Sequence, residues 1–184
     1  MRPLTVVLVL PLIALAGCKS KSTSAQLGEN GRIPVYPPVS TYNDEKDETT
    51  RSTRLIPLER EKAPATLTAF YVSKGTDLVK PESVEIAFNT PFPTLRPQAC
   101  KWTTNHKVTI TYDGQTFAAD GTYSTQPILG EDTMMNEQVE VTMPLSVYKT
   151  MVNAKSIKCT VGPSSFELSG RQTRSLIQLA NSTL

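Results

Sequence analysis

The chain has 184 residues, with 19 Lys and Arg against 17 Asp and Glu, and 39% of it is hydrophobic. That length suits one domain plus a tail. The near-neutral balance gives no electrostatic footprint for nucleic acid and no polybasic grip on anionic lipid, so no nucleic-acid partner is expected.

Arg2 supplies a short positive start. Val6 to Ala16 then form an apolar run interrupted only by Pro11, and small residues lead into a cysteine in Leu15-Ala16-Gly17-Cys18. Charge, apolar stretch and small-residue cleavage site, in that order, make a secretory signal. A membrane-spanning helix needs roughly 20 apolar residues, and this run holds only about 11. The tetrapeptide ending in cysteine resembles the lipobox of bacterial lipoproteins. The resemblance implies that residues 1–17 are a signal peptide cut before Cys18. It also implies lipidation of Cys18 by diacylglyceryl and N-acyl (palmitate) chains. Several acyl chains hold a protein stably to a bilayer, where one does so only marginally. In that class the residue after the cysteine influences sorting, and Lys19 is not the aspartate associated with inner-membrane retention. In a cell with two membranes an outer-membrane location is therefore expected, on the periplasmic or the surface face. Losing Arg2 leaves the mature chain with 18 basic against 17 acidic residues.

Residues 18–63 read as a lipidated cysteine followed by a flexible linker. Ile33-Pro34-Val35-Tyr36-Pro37-Pro38-Val39 favours extended polyproline geometry, as a spacer or as a docking peptide. Asp44 to Arg51 is a mixed-charge run with no apolar period, which cannot offset its ordering entropy. A flexible tether of about 45 residues spans roughly 35–40 Å. Leu55 to Leu58 could instead lie along the domain as an edge segment.

From residue 64 to 184 the pattern is that of a globular domain. Thr66 to Val72 is rich in β-favouring residues. Ser83 to Phe88 alternates, placing Val84, Ile86 and Phe88 on one face. Pro91, Pro93 and Pro97 are expected to break the chain into a loop carrying Cys100 and Trp102. Lys107 to Tyr112 alternates again, and Asp113-Gly114 before Gln115 to Ala118 is a strong hairpin signal. One short strand is expected near Thr122 to Ser124.

Gln138 to Met143 reads as a strand with Val139, Val141 and Met143 inward. Pro144 fits the first turn of a helix with Leu145, Tyr148 and Val152 at helical spacing. Ser156 to Val161 is a strand, Gly162-Pro163 a turn, and Ser165 to Leu168 another strand. Ser169 and Gln172 form a capping box for a helix with Leu176, Ile177, Ala180 and Leu184 on its apolar stripe. This β-α-β-β-α order resembles a module in the C-terminal parts of exported bacterial proteins of unassigned function. The matching stretches are the strand into Pro144-Leu145, Asn153-Ala154-Lys155 before a strand, and Gly162 to Leu168 before the last helix. The resemblance implies no activity.

Besides Cys18 the chain has only Cys100 and Cys159. Outside the cytoplasm two such thiols are expected to form a disulfide. Closing a loop of about 60 residues would stabilise the fold by roughly 4 kcal/mol in the chain-entropy model. A zinc site would need Cys100, His106, Cys159 and a fourth ligand, and the spacing matches no tight finger. No metal or other cofactor is expected.

Catalytic signatures do not emerge. The only histidine is His106, and a bridged Cys100 could not act with it as a nucleophile. Gly-x-Ser-x-Gly, His-Glu-x-x-His and phosphate-cradling glycine loops do not occur. Asp113, Asp120, Glu131 and Asp132 are the acids near turns that could pair for glycan cleavage. The candidate binding loop holds Phe92, Leu95, Arg96, Lys101 and Trp102, since aromatic and Arg side chains on a rigid loop are typical anchors. The competing reading is that Phe92 and Trp102 simply cover the open end of the sheet around the disulfide, since a small domain needs its few large side chains for its core.

These readings predict an α+β fold: one small domain, mainly antiparallel, with two helices on one face. The function expected is that of a membrane-anchored, non-enzymatic binding or scaffold module with an envelope-protein partner. The alternatives are an inhibitor of an extracytoplasmic hydrolase of lysozyme or protease type, and a cell-wall glycan hydrolase.

Overall fold

The computed structural model describes residues 37–58, 65–76, 79–96, 99–128, 130 and 133–183. The signal peptide, Cys18 with its expected lipidation, most of the Pro-rich segment, Glu131, Asp132 and Leu184 lie outside the described residues.

Strand propensity and alternation generate most of the molecule. In chain order the elements are β1 (Val39–Asn43), β2 (Glu48–Ser52), β3 (Ile56–Pro57), β4 (Thr66–Lys74), β5 (Ser83–Pro93), β6 (Lys107–Tyr112), β7 (Gln115–Asp120), β8 (Thr122–Pro127), β9 (Met134–Pro144), α1 (Leu145–Val152), β10 (Ile157–Val161), β11 (Ser164–Glu167) and α2 (Gly170–Asn181). Every strand pairing among the described residues is antiparallel. A seven-stranded sheet has the order β1-β2-β4-β5-β9-β8, with β3 also on β4, and a four-stranded sheet has the order β11-β10-β6-β7. The protein is thus a single α+β domain, mostly antiparallel, with two helices.

The inner rows of the large sheet follow from a period of two. Leu67, Phe88, Val139 and Tyr123 stand side by side across β4, β5, β9 and β8, and Ala69, Ile86 and Val141 form a second cross-strand row of buried side chains. In the small sheet Ile110 faces Cys159, which faces Phe166, and all three are buried. One apolar cluster joins both sheets and both helices. Each large apolar side chain removed from water contributes about 1.5–3 kcal/mol.

α1 starts at Leu145, one residue later than expected, with Pro144, the last residue of β9, as its N-cap. It buries Leu145, Tyr148, Met151 and Val152. The Tyr148 hydroxyl donates to the Leu176 carbonyl at 3.0 Å, joining α1 to α2. α2 has the expected capping box of Ser169 and Gln172. Its buried side is Gln172, Ser175, Leu176, Leu179 and Ala180, with Ile177 only partly covered. The Gln172 amide also donates to the Pro57 carbonyl, which holds α2 on β3.

Three differences from the sequence reading have physical causes. First, residues 39–57, expected as part of the linker, form β1 to β3, so the domain begins by Val39 rather than at residue 64. The segment is held by polar pairing, which an apolar period cannot reveal. Thr49 donates to the Gly75 carbonyl at 2.6 Å, and the Ala69 N–H donates to the Thr53 hydroxyl at 3.0 Å. Second, Pro91 and Pro93 belong to β5 and pair with Asn136 and Met134. β4 begins at Thr66, opposite Asn89. Beyond that point β5 pairs only with β9 among the described residues, and on an open side a residue without an N–H is tolerated. Third, β8 extends from Thr122 to Pro127, longer than the short strand expected.

Candidate functional site

The loop after β5 is where the sequence placed its binding residues. A turn follows Pro93, with the Arg96 N–H donating to the Pro93 carbonyl at 2.9 Å. The Thr94 N–H donates to the Thr133 carbonyl at 2.9 Å, fixing the turn against the entry to β9. At the far end of the loop a carboxylate does the holding. Glu137 lies in β9 at the same parity as Val139, Val141 and Met143, so it points inward and is fully buried. It accepts from the Trp102 N–H at 2.7 Å and from the Lys101 N–H at 2.9 Å. Charge-assisted bonds of this kind are the strong ones.

The five loop candidates therefore divide. Trp102 is fully buried, and its indole N–H donates to the Ser164 hydroxyl at 3.1 Å, tying the loop to β11. Phe92 is buried in β5 opposite Met135. Both are part of the packed interior, so the expectation that they anchor a partner is corrected. Large side chains are scarce in a small domain and go to its core. Leu95, 89% exposed, Arg96 and Lys101 remain on the surface.

The two sulfurs are also corrected. Cys100 and Cys159 are both free thiols, not a disulfide. Cys159 sits between Ile110 and Phe166 in the small sheet, and burial pushes its thiol up to about 12. Cys100 lies instead beside Tyr123 and Glu137. Its thiol is raised by desolvation and then by the Glu137 charge. Desolvation, Glu137 and Cys100 together push the Tyr123 hydroxyl up to about 12. A thiol shifted upward is mostly protonated at neutral pH and is a poor nucleophile. His106 stacks obliquely on Tyr123, with ring centroids 6.2 Å apart, and its Nδ1 is buried without a partner. Glu137, with Cys100 and Tyr123 beside it, forms a polar clasp that closes the loop. Glu137 and Tyr123 escaped the sequence reading, although the inward parity of β9 extends to residue 137.

Asp113 opens the β6–β7 turn with φ of 44°, and Gly114 follows with φ of 82°, as the Asp-Gly signal predicts. Its carboxylate accepts from the Lys155 and Ser156 N–H groups at 3.0 and 3.1 Å. Those bonds hold its carboxyl below the ordinary value of 3.8, the opposite direction from a general acid. Asp120 is exposed at the end of β7. Among the described residues no three His, Cys, Asp or Glu side chains converge as metal ligands.

No protein-family model, no curated protein and no solved structure matches this chain.

Proposed function

We propose that the protein is a lipid-anchored lipoprotein of the cell envelope, in the outer membrane, and that it acts as a non-enzymatic binding or scaffold module for another envelope protein. The anchor is Cys18 of the lipobox. The docking element is the loop with Leu95, Arg96 and Lys101. The observation that carries this reading is Leu95, 89% exposed on a loop pinned at both ends. An apolar side chain held out in water costs free energy that a partner recovers. Fixing the ends of the loop reduces the entropy lost on binding.

The test is photo-crosslinking in intact envelopes, with a photoreactive residue at position 95 and separately at Thr111 on the small sheet. A discrete adduct with one envelope protein from position 95, absent from position 111 and lost on adding Arg96→Glu, is expected. Equal labelling from both positions, or none from 95, would remove the loop from the proposal. The same protruding loop also fits the wedge of a hydrolase inhibitor. Crosslinking to a lysozyme- or protease-type enzyme, with loss of its turnover, would select that second reading.

A further inference from the structure

A second surface, which shares no residue with the Leu95 loop, has the makings of a ligand site. Two depressions adjoin α1 and meet at Lys149. One, of about 470 Å³, is lined by Tyr112, Asp113, Gln115, Lys149, Thr150 and Asn153. The other, of about 530 Å³, lies toward the start of α1 against Lys80 and Glu82. Both volumes fall within the range of small-molecule sites, about 300–1,000 Å³.

The first depression is built by the fold. The Asp113 carboxylate binds the backbone just after α1, which draws the β6–β7 turn against the helix. That engagement leaves Asp113 no strong acceptor for anything else. The remaining polar groups in the wall are open. Lys149 is half-buried, and its ammonium forms no ion pair or hydrogen bond with any described residue. The Tyr112 ring is buried, while its hydroxyl bonds to no described residue and is not itself buried, so it meets solvent in the depression. Asn153 spends its NH₂ on the Lys149 carbonyl at 2.8 Å, which leaves its amide oxygen free to accept.

We infer that this depression binds a small ligand through one carboxylate, with the Lys149 ammonium opposite the charge, the Tyr112 hydroxyl donating to it, and the Gln115 and Asn153 amides meeting neighbouring hydroxyl or amide groups. A single ammonium matches a singly charged carboxylate. A phosphate dianion would need more donors than one ammonium and one hydroxyl supply. A sugar acid and the free C-terminus of a short peptide both present such a carboxylate.

The test is calorimetric titration of the full chain in detergent with glucuronate, with N-acetyl-dialanine and with inorganic phosphate. Binding of glucuronate or of the dipeptide with a dissociation constant below about 1 mM is expected, and which of them binds identifies the source. Lys149→Gln should weaken binding roughly 10- to 100-fold, the range of a charge-assisted hydrogen bond, while Lys149→Arg retains it. Tyr112→Phe should weaken it about five-fold with an unchanged unfolding midpoint, because the hydroxyl holds nothing inside the protein. Failure of both carboxylates to bind, phosphate binding as tightly as either, or equal affinity in Lys149→Gln would overturn the inference. None of these results depends on whether position 95 crosslinks to a protein.

Discussion

Replacing Glu137 by Gln tests how the loop is held. The side chain keeps its shape but loses its charge, and one oxygen becomes an NH₂ group. Both carboxylate oxygens are in use, one on Trp102 N–H at 2.7 Å and one on Lys101 N–H at 2.9 Å. In the variant the new NH₂ group would therefore face another donor. Losing one charge-assisted bond costs about 1.5–3 kcal/mol, and leaving its buried donor unsatisfied puts the change toward the top of that range. A domain of this size has roughly 5–15 kcal/mol in all. About 3 kcal/mol lowers its melting temperature by roughly 6–12 °C. The assay has a built-in reporter, because Trp102 is the single tryptophan and is fully buried. Urea unfolding followed by its fluorescence should show the midpoint fall, with native emission shifted red as the loop loosens. A midpoint within about 0.5 kcal/mol of the parent, the range of an ordinary surface change, with unshifted emission would refute the clasp.

Gly162→Ala should destabilise the protein by several kcal/mol, since φ is +51° and an added Cβ would strike the Asn105 carbonyl, which is backbone and cannot swing aside. Chemical denaturation reads the loss, and a neutral result would mean that the β10–β11 turn is looser than its geometry. Asp113 has a folded pKa depressed below 3.8, so its contribution is present above that value and fades as pH falls through the folded pKa. Asp113→Asn should therefore narrow the stability gap between neutral pH and pH 3 in a urea titration, and an unaltered gap would contradict the assignment. In native protein at pH 8, Cys159 should resist alkylation while partly exposed Cys100 reacts slowly, and both should react once unfolded without reductant. Mass spectrometry counts the labels; two unreactive sulfurs in unfolded, unreduced chain would show that they are bonded.

Legibility followed the source of each element's stability. From Gln138 to Leu168 apolar alternation and turn chemistry agree, and β9, α1, β10 and β11 lie where the pattern puts them. The capping box of Ser169 and Gln172 marked the start of α2 for the same local reason. Its buried stripe departs from the expected one at Ile177, because Gln172 and Ser175 take inward places, Gln172 on the strength of a hydrogen bond. The β1–β2 hairpin was illegible for a related reason. Thr49 and Thr53 are buried by what they bond, and their neighbours look like a solvated charge run. The binding loop was located, but which of its side chains faced outward depended on a carboxylate 35 residues away. The Lys149 depression was out of reach of the sequence, since its wall combines the β6–β7 turn with α1, two segments that Asp113 bridges through residues 155 and 156.

The same device recurs wherever this fold brings distant segments together. Glu137 joins β9 to the loop before β6, Asp113 joins the β6–β7 turn to the chain after α1, and Gln172 joins α2 to β3. In each case a side chain takes backbone groups as partners across a gap the strand ladders do not bridge. Apolar burial supplies the bulk of the driving force but is non-directional, so it cannot by itself fix where a loop points. Directed bonds to backbone groups can, and an unmade one in the interior costs more than a made one contributes. Both surfaces assigned a role here depend on such pins: Leu95 stands on a loop held by Glu137, and Lys149 faces a wall drawn in by Asp113. Loosening either carboxylate should therefore weaken recognition at its own surface and leave the other intact, because the pinned groups share no residue.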